Sequence, residues 1–185
     1  MSDTPPGFLY RPDFLGAEEE REVLAGVSAL DFHDVKMRGQ VARRRTSHFG
    51  WTYGYETWRI EPGPPIPDFL LALRDRAAAV GGVAAEDLVE VLVTQYPVGA
   101  GIGWHRDAPM FGVVVGVSLV SACRFRFQRG KGADRLTAIA TLEPRSAYAL
   151  DGPARWQWQH SIPPARSERY SVTYRTLRRS PRGGP

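Results

Sequence analysis

The chain has 185 residues, 43% of them hydrophobic and 24% charged, with 24 Lys and Arg against 20 Asp and Glu and a net charge of +4. That is the composition of a soluble globular protein able to bury a core. No apolar run approaches the ~20 residues of a membrane span, and a single cysteine, Cys123, excludes an internal disulfide and a cysteine-based zinc site. A basic balance permits a polyanionic partner without demanding one. The N-terminal stretch MSDTPPGFLY lacks the basic and apolar regions of a signal peptide, so a reducing cytoplasm is the expected location.

Residues 7–15, GFLYRPDFL, read as a short extended segment. Ala17 to about Ala29 reads as a helix, with Glu18, Glu19 and Glu20 in the first turn and Leu24 and Val27 spaced to face a core. Residues 31–61 mix cations with rings. Arg43, Arg44 and Arg45 precede Trp51, Tyr53 and Tyr55, which share one face if the backbone is extended. Basic residues beside stackable rings suit unstacked bases, and the same composition suits a hairpin with an aromatic core face. His48 is either a hydrogen-bonding group or a plain surface histidine. Pro-rich residues 61–67 turn the chain. Pro67 then opens a helix with Phe69, Leu70 and Leu73 on its apolar side, and Gly81-Gly82 stops it.

From Leu88 onward the pattern is strands, over 91–96, 111–120, 122–129, 135–142, 146–150, 155–162 and 169–177. In 122–129, Cys123, Phe125 and Phe127 face one way and Arg124, Arg126 and Gln128 the other. About seven or eight strands with short connections and no helices between them give an α+β, mainly β fold. A sandwich or jelly roll with N-terminal helices is expected. No linker splits the chain, so 1–185 is expected to be one domain and a monomer, with a core over 88–178 and a solvated tail over 179–185.

The chemistry concentrates where Gly99, Gly101 and Gly103 lead into Trp104-His105-Arg106-Asp107. On an extended backbone residues two apart point to one side, so His105 and Asp107 can aim an imidazole and a carboxylate at one point. That is two thirds of the 2-His-1-carboxylate triad of non-haem Fe(II). Of the four histidines, His160, on a late alternating segment, is the natural third ligand, although a lone histidine is often a hydrogen-bonded core residue. Nine residues later begins R-Y-S-V-T-Y-R, with Arg169, Ser171, Thr173 and Arg175 on one face of a strand. Inward arginines are costly unless an anion neutralises them, and a guanidinium fork matches a carboxylate; an edge strand with its arginines in solvent is the other reading.

HRD, then His160, then R-x-x-x-x-x-R together resemble the AlkB family of Fe(II)/2-oxoglutarate dioxygenases. The resemblance runs from about Val91 to Arg175, with a fainter likeness of 50–53 to that family's nucleotide-recognition lid. It implies a double-stranded β-helix (jelly roll) and a reaction that uses Fe(II), 2-oxoglutarate and O2 to remove N-alkyl groups from bases, a repair-type activity on DNA or RNA. His105, Asp107 and His160 would then ligate iron. Arg169 would pair with the distal carboxylate of 2-oxoglutarate beside Tyr96, with Thr94 and Ser171 on the same pocket wall, and Arg175 would steady Asp107. Trp51 and Tyr53, with Tyr55 and His48 near them, would belong to a lid over an alkylated base that is single-stranded or flipped. Two positions depart from the family pattern. Thr94 replaces an asparagine of the co-substrate pocket, and Pro109 replaces an acidic residue that helps read the damaged base. The resemblance also allows an RNA-modifying (tRNA) or protein-directed hydroxylase with the same iron site.

Overall fold

Period-two alternation gives each strand two different faces, and the computed structural model, which describes residues 4–37, 40–54 and 59–178, builds two sheets from them. In chain order the elements are β1 (Phe8–Arg11), α1 (Ala17–Ser28), β2 (His33–Met37), β3 (Gln40–Gly54), β4 (Arg59–Pro62) and α2 (Asp68–Gly81). There follow β5 (Leu88–Tyr96), β6 (Ile102–His105), β7 (Phe111–Leu119), β8 (Cys123–Arg129), β9 (Leu136–Leu142), β10 (Ala147–Leu150), α3 (Gly152–Trp156), β11 (Gln159–Ile162) and β12 (Arg169–Leu177). The major sheet runs β1-β10-β7-β12-β5-β3-β2, with β4 paired to β3, and the minor sheet runs β6-β11-β8-β9. Strands adjacent in space are mostly distant in sequence, as a jelly roll requires. The tail 179–185 and Tyr55 lie outside the described residues, and of Tyr53 only the backbone is described.

Two apolar layers form. Val91 and Val93 of β5, Val115 and Val117 of β7, and Val172 and Tyr174 of β12 face outward from the major sheet. They pack against Val23 and Val27 of α1 and Leu70, Leu73, Ala77 and Ala78 of α2. Gly82, in a left-handed conformation with φ of 63°, ends α2 as the glycine pair predicts. The second layer lies between the sheets, where Phe125 and Phe127 of β8 meet Phe8 and Tyr148. Gly116 of β7 faces Tyr148 across the β7–β10 pair, and a Cβ there would collide with the tyrosine ring. The missing side chain thus makes room for an aromatic at the centre of the inter-sheet layer.

Three segments differ from the pattern read in the sequence. The predicted strand over 155–162 begins instead as α3, because Pro153 near its start presets a helical φ, and only Gln159–Ile162 is strand. The glycine-rich approach to the HRD motif contains a four-residue strand, β6, which pairs with β11 and ends at His105, so Asp107 sits in the following loop. Residues 31–61 form more than a hairpin. β3 is 15 residues long; its start pairs with β2, its middle from Arg45 to Gly50 joins the major sheet on β5, and its end pairs with β4. The bend falls at Gly50, whose φ of 75° favours glycine, and a Cβ there would strike the carbonyl of Val89.

Candidate active site

The inner face of the major sheet is polar in its middle. The β12–β5 register sets Arg169 beside Tyr96, Ser171 beside Thr94, Thr173 beside Leu92 and Arg175 beside Glu90. On the other side of β12, Ser171 pairs with Ser118 and Thr173 with Gly116. Arg169, Ser171, Thr173 and Arg175 are all buried and share one face, as the alternation requires. With strands on both sides, β12 is central rather than an edge.

His105 and His160 occupy paired positions on β6 and β11, their rings 4.3 Å apart and inclined at 63°. Asp107 completes the group. One ligand atom from each of the three residues lies within 4.8 Å of the other two, close enough to hold one metal ion. His160 Nε2 stands 3.5 Å from Asp107 Oδ2, and His105 Nδ1 lies 2.9 Å from the Gly103 carbonyl, an acceptor suited to Nδ1–H that would leave Nε2 with a free lone pair.

The two oxygens of Asp107 are treated differently. Oδ1 accepts a hydrogen bond from Arg175 Nε at 2.8 Å, and Arg175 Nη2 forms an ion pair with it at 2.7 Å. Oδ2 is buried and has no hydrogen-bond partner. A buried, unsatisfied carboxylate oxygen facing two imidazoles is the donor set a divalent iron ion fits. Burial works against ionisation of Asp107, but Arg175, His160, His105 and Arg155 outweigh it and hold its carboxyl well below the usual range. Burial pushes His160 down to about 3, against the attraction of Asp107, so its imidazole is neutral and able to donate a lone pair at ordinary pH.

Arg169 is 1% exposed. Its Nε and Nη2 both donate to Ser118 Oγ, at 3.3 and 3.2 Å, and its guanidinium lies 5.1 Å from the centre of the Tyr96 ring. Its Nη1 is buried and unpartnered. Among the described residues it forms no ion pair, so a free carboxylate such as that of 2-oxoglutarate fits beside it. Thr94 and Ser171 lie between this guanidinium and the metal group along the same face, both buried.

Four residues contribute that the sequence reading did not single out. Glu90 is buried and accepts from Arg175 Nη1 at 2.7 Å; its place on the face of Thr94 and Tyr96 was legible in the alternation of β5. Ser118 anchors Arg169 from within the wholly apolar-looking stretch 111–120. Arg155 donates to the carbonyls of Ala108, Phe111 and Gly112 at 2.8, 2.7 and 2.9 Å, pinning the loop after Asp107. Tyr148 is buried between the sheets, and burial pushes its phenol well above the usual range, so it stays protonated.

The lid candidates are less gathered. His48 on β3 is paired with Leu92, with Nδ1 3.8 Å from Glu90 Oε1. Trp51 is 37% exposed and pairs with Pro62; the Tyr53 backbone pairs with Ile60.

Comparison with known proteins adds to this geometry. The sequence profile of the 2OG-Fe(II) oxygenase superfamily matches residues 7–180. An Arabidopsis thaliana protein named "Alkylated DNA repair protein ALKBH8 homolog" is 27% identical over 96% of this chain and 56% of its own length. The Mus musculus "tRNA (carboxymethyluridine(34)-5-O)-methyltransferase ALKBH8" is 26% identical over 86% of this chain and 24% of its own. The chain therefore spans between a quarter and rather more than half of these relatives. The solved structure of OsALKBH1 superimposes with a TM-score of 0.70 at 16% identity, covering 92% of this chain and 97% of that one, which shows a shared fold. The chain belongs to the 2OG-Fe(II) oxygenase superfamily, and the relatives and the solved structure it resembles carry ALKBH names.

Proposed function

We propose that this protein oxidatively dealkylates N-alkylated bases in nucleic acid. His105, Asp107 and His160 hold the iron, and Arg169, Tyr96, Thr94 and Ser171 hold 2-oxoglutarate. The observation that carries the reading is the pair of buried, unsatisfied atoms on one inner face: Asp107 Oδ2 toward the two imidazoles, and Arg169 Nη1 without an anion. Bound Fe(II) with 2-oxoglutarate and O2 supplies oxidation of a C–H bond, with conversion of 2-oxoglutarate to succinate and CO2. The protein's part is placement. Arg175 occupies one oxygen of Asp107 and leaves the other for the metal, and Arg155 fixes the loop that carries it. Ser118 and Tyr96 orient Arg169. Phe125 packs 5.1 Å from His160, and that apolar side of the site excludes water.

The core over 88–178 carries the chemistry and 31–61 serves as the lid, with Trp51, Tyr53, Tyr55 and His48 as its candidate contacts to a flipped or single-stranded base. The net charge of +4 supports a polyanionic substrate. A second reading, RNA rather than DNA, is favoured by the mouse relative, which is named for a tRNA. Pro109 cannot supply an acidic contact to a base, so the lesion read here differs from one recognised through a carboxylate at that position.

The test is succinate release with Fe(II), 2-oxoglutarate and ascorbate, with and without single-stranded DNA carrying N1-methyladenine or N3-methylcytosine, and with tRNA in parallel. Methylated DNA is expected to stimulate turnover, and His105→Ala to abolish it. Stimulation by tRNA alone moves the substrate to RNA. Turnover that depends on His105 but ignores all nucleic acid rejects the dealkylation reading.

A further inference from the structure

The two sheets differ on their outer faces. The major sheet is covered by α1 and α2. On the outer face of the minor sheet Arg124 is exposed and Arg126 half-buried, so what it presents there is cationic. Residues 123–142, the β8–β9 hairpin, hold Arg124, Arg126, Arg129, Lys131 and Arg135 against the single acid Asp134. Five cations against one acid is +4, the net charge of the whole chain, so the remaining residues balance to zero. Arg124 and Arg126 point outward because Cys123, Phe125 and Phe127 point into the inter-sheet layer, while Arg129, Lys131 and Arg135 cluster at the turn end of the hairpin, Arg129 on the phase of the inward residues. Among the described residues none of the five forms an ion pair, whereas arginines elsewhere on the surface do, as Arg76 with Glu19 and Arg145 with Glu20. Their polar contacts are neutral: Arg126 Nε donates to Ser161 Oγ at 3.1 Å and Arg129 Nη1 to Gln157 Oε1 at 2.6 Å.

An aromatic sits at the edge of this field. Trp104 precedes His105 on β6, the edge strand of the minor sheet, and is 38% exposed with the Arg126 guanidinium 5.1 Å from its ring. His105 faces His160 between the sheets, and Trp104, one residue earlier, lies with Arg126 on the outer side. A chain whose target base enters between the sheets therefore has only the β6 edge to cross before it meets an indole and then a row of unneutralised cations. Stackable ring plus basic track is how single strands are held without sequence preference.

We propose that the outer face of the minor sheet is a second contact surface for a single-stranded nucleic acid, with Trp104 stacking a base next to the target and the β8–β9 cations following the phosphates. The inference rests on the nucleic-acid reading of the function and assigns it a path outside the pocket.

The experiment is fluorescence anisotropy with a labelled oligothymidylate of about twelve nucleotides, and an abasic oligomer of equal length, at several salt concentrations. The wild type is compared with the combined variant Arg124→Gln, Arg129→Gln, Lys131→Gln and Arg135→Gln, and with Trp104→Ala. Arg126 is left in place because it donates to Ser161, the neighbour of His160. The combined variant is expected to lower the slope of log affinity against log salt by about 3, near 0.7 for each phosphate no longer neutralised. Thermal stabilisation by Mn(II) with 2-oxoglutarate is expected to be unchanged, which reports an intact fold and pocket. If the combined variant does not fold, Arg124→Gln and Lys131→Gln singly are each expected to lower the slope by about 0.7. Trp104→Ala is expected to weaken oligothymidylate binding on the order of tenfold and leave abasic binding unchanged. An unchanged salt slope in the cation variants overturns the surface while the nucleic-acid reading stands. Equal weakening on both oligomers overturns the stacking role of Trp104. No oligonucleotide binding by the wild type even at low salt removes the reading and the surface together.

Discussion

Arg169 and Arg175 stand six residues apart on the same face of the same strand, both buried, at 1% and 9% exposure. Their surroundings are opposite. Arg175 has two carboxylates, Glu90 at 2.7 Å and Asp107 at 2.7 Å, which raise its already high pKa despite its burial. Arg169 has a serine hydroxyl, a tyrosine ring and one nitrogen with no partner. A buried guanidinium with its charge balanced inside the protein is part of the fold and holds its neighbours in place. One left unbalanced costs the folded state free energy until an anion arrives. On the proposed reading the protein thus gives up stability at one end of β12 for a 2-oxoglutarate site and gains rigidity at the other.

Removing each arginine in turn tests that contrast most severely. Arg175→Ala leaves Glu90 and Asp107 as neighbouring buried carboxylates without a cation. It is expected to lower the unfolding free energy of the metal-free protein by about 3–5 kcal/mol, read by urea denaturation. Arg169→Met is expected to move the same quantity by less than about 1 kcal/mol, or to raise it, because a buried charge without an ion partner is replaced by an apolar chain. Its loss falls on the co-substrate. With Mn(II) present, 2-oxoglutarate affinity is expected to fall by about 2–5 kcal/mol in calorimetric titration. Equal destabilisation by the two substitutions would show that Arg169 is as much a structural residue as Arg175.

The same two arginines show how much was legible in sequence. Their spacing on an alternating strand placed both on the inner face, and the HRD motif with His160 named the residues that converge, because period two survives whatever the rest of the fold does. The partners were not legible. Glu90, paired with Arg175, lies 85 residues away, and Ser118, under Arg169, lies 51 residues away in a stretch that reads as plain apolar strand. Those pairings are set by the register of β12 against β5 and β7, which a single sequence does not print. Arg155 was hidden differently. The alternation of RWQWQHSI suggests a strand, and Pro153 turned its first part into α3, which is what lets Arg155 reach three loop carbonyls. Segment 31–61 was legible only as composition, since cations and rings over 43–55 do not determine where β3 bends.

Acid titration probes the end of the site that Arg175 organises. The folded state holds His160 near 3 and the ordinary value is 6.5, so between these the unfolded chain carries a proton that the folded one does not. Stability present above pH 6.5 is therefore lost as pH falls toward 3, and Asp107, also depressed, adds to the loss below its ordinary value of 3.8. The metal-free protein is expected to lose about 1.4 kcal/mol per pH unit from this histidine between pH 5 and 4. His160→Gln is expected to flatten that slope whatever it does to the absolute stability. A slope that survives the substitution would place the missing proton on another group.

The smallest change tests the unbalanced end. Ser118 is fully buried, and its hydroxyl oxygen accepts two bonds from Arg169, so Ser118→Ala frees Nε and Nη2 to join Nη1 as unsatisfied donors. Two effects then compete. Losing the acceptor costs the free protein about 1 kcal/mol, because a buried charged donor goes unpaired. A guanidinium with more unsatisfied donors also attracts a carboxylate more strongly, while its orientation against Tyr96 becomes looser. If orientation dominates, 2-oxoglutarate binding weakens by about 1 kcal/mol, roughly fivefold, and Ser118→Thr, which keeps the hydroxyl, restores part of it. If unsatisfied donors dominate, binding tightens in Ser118→Ala and the serine is there to stabilise the empty protein. Arg169 is held by two bonds to one oxygen at 3.2 and 3.3 Å, longer than a charge-assisted bond prefers, which identifies Ser118 as a guide rather than a counter-charge and makes the weakening the expected result.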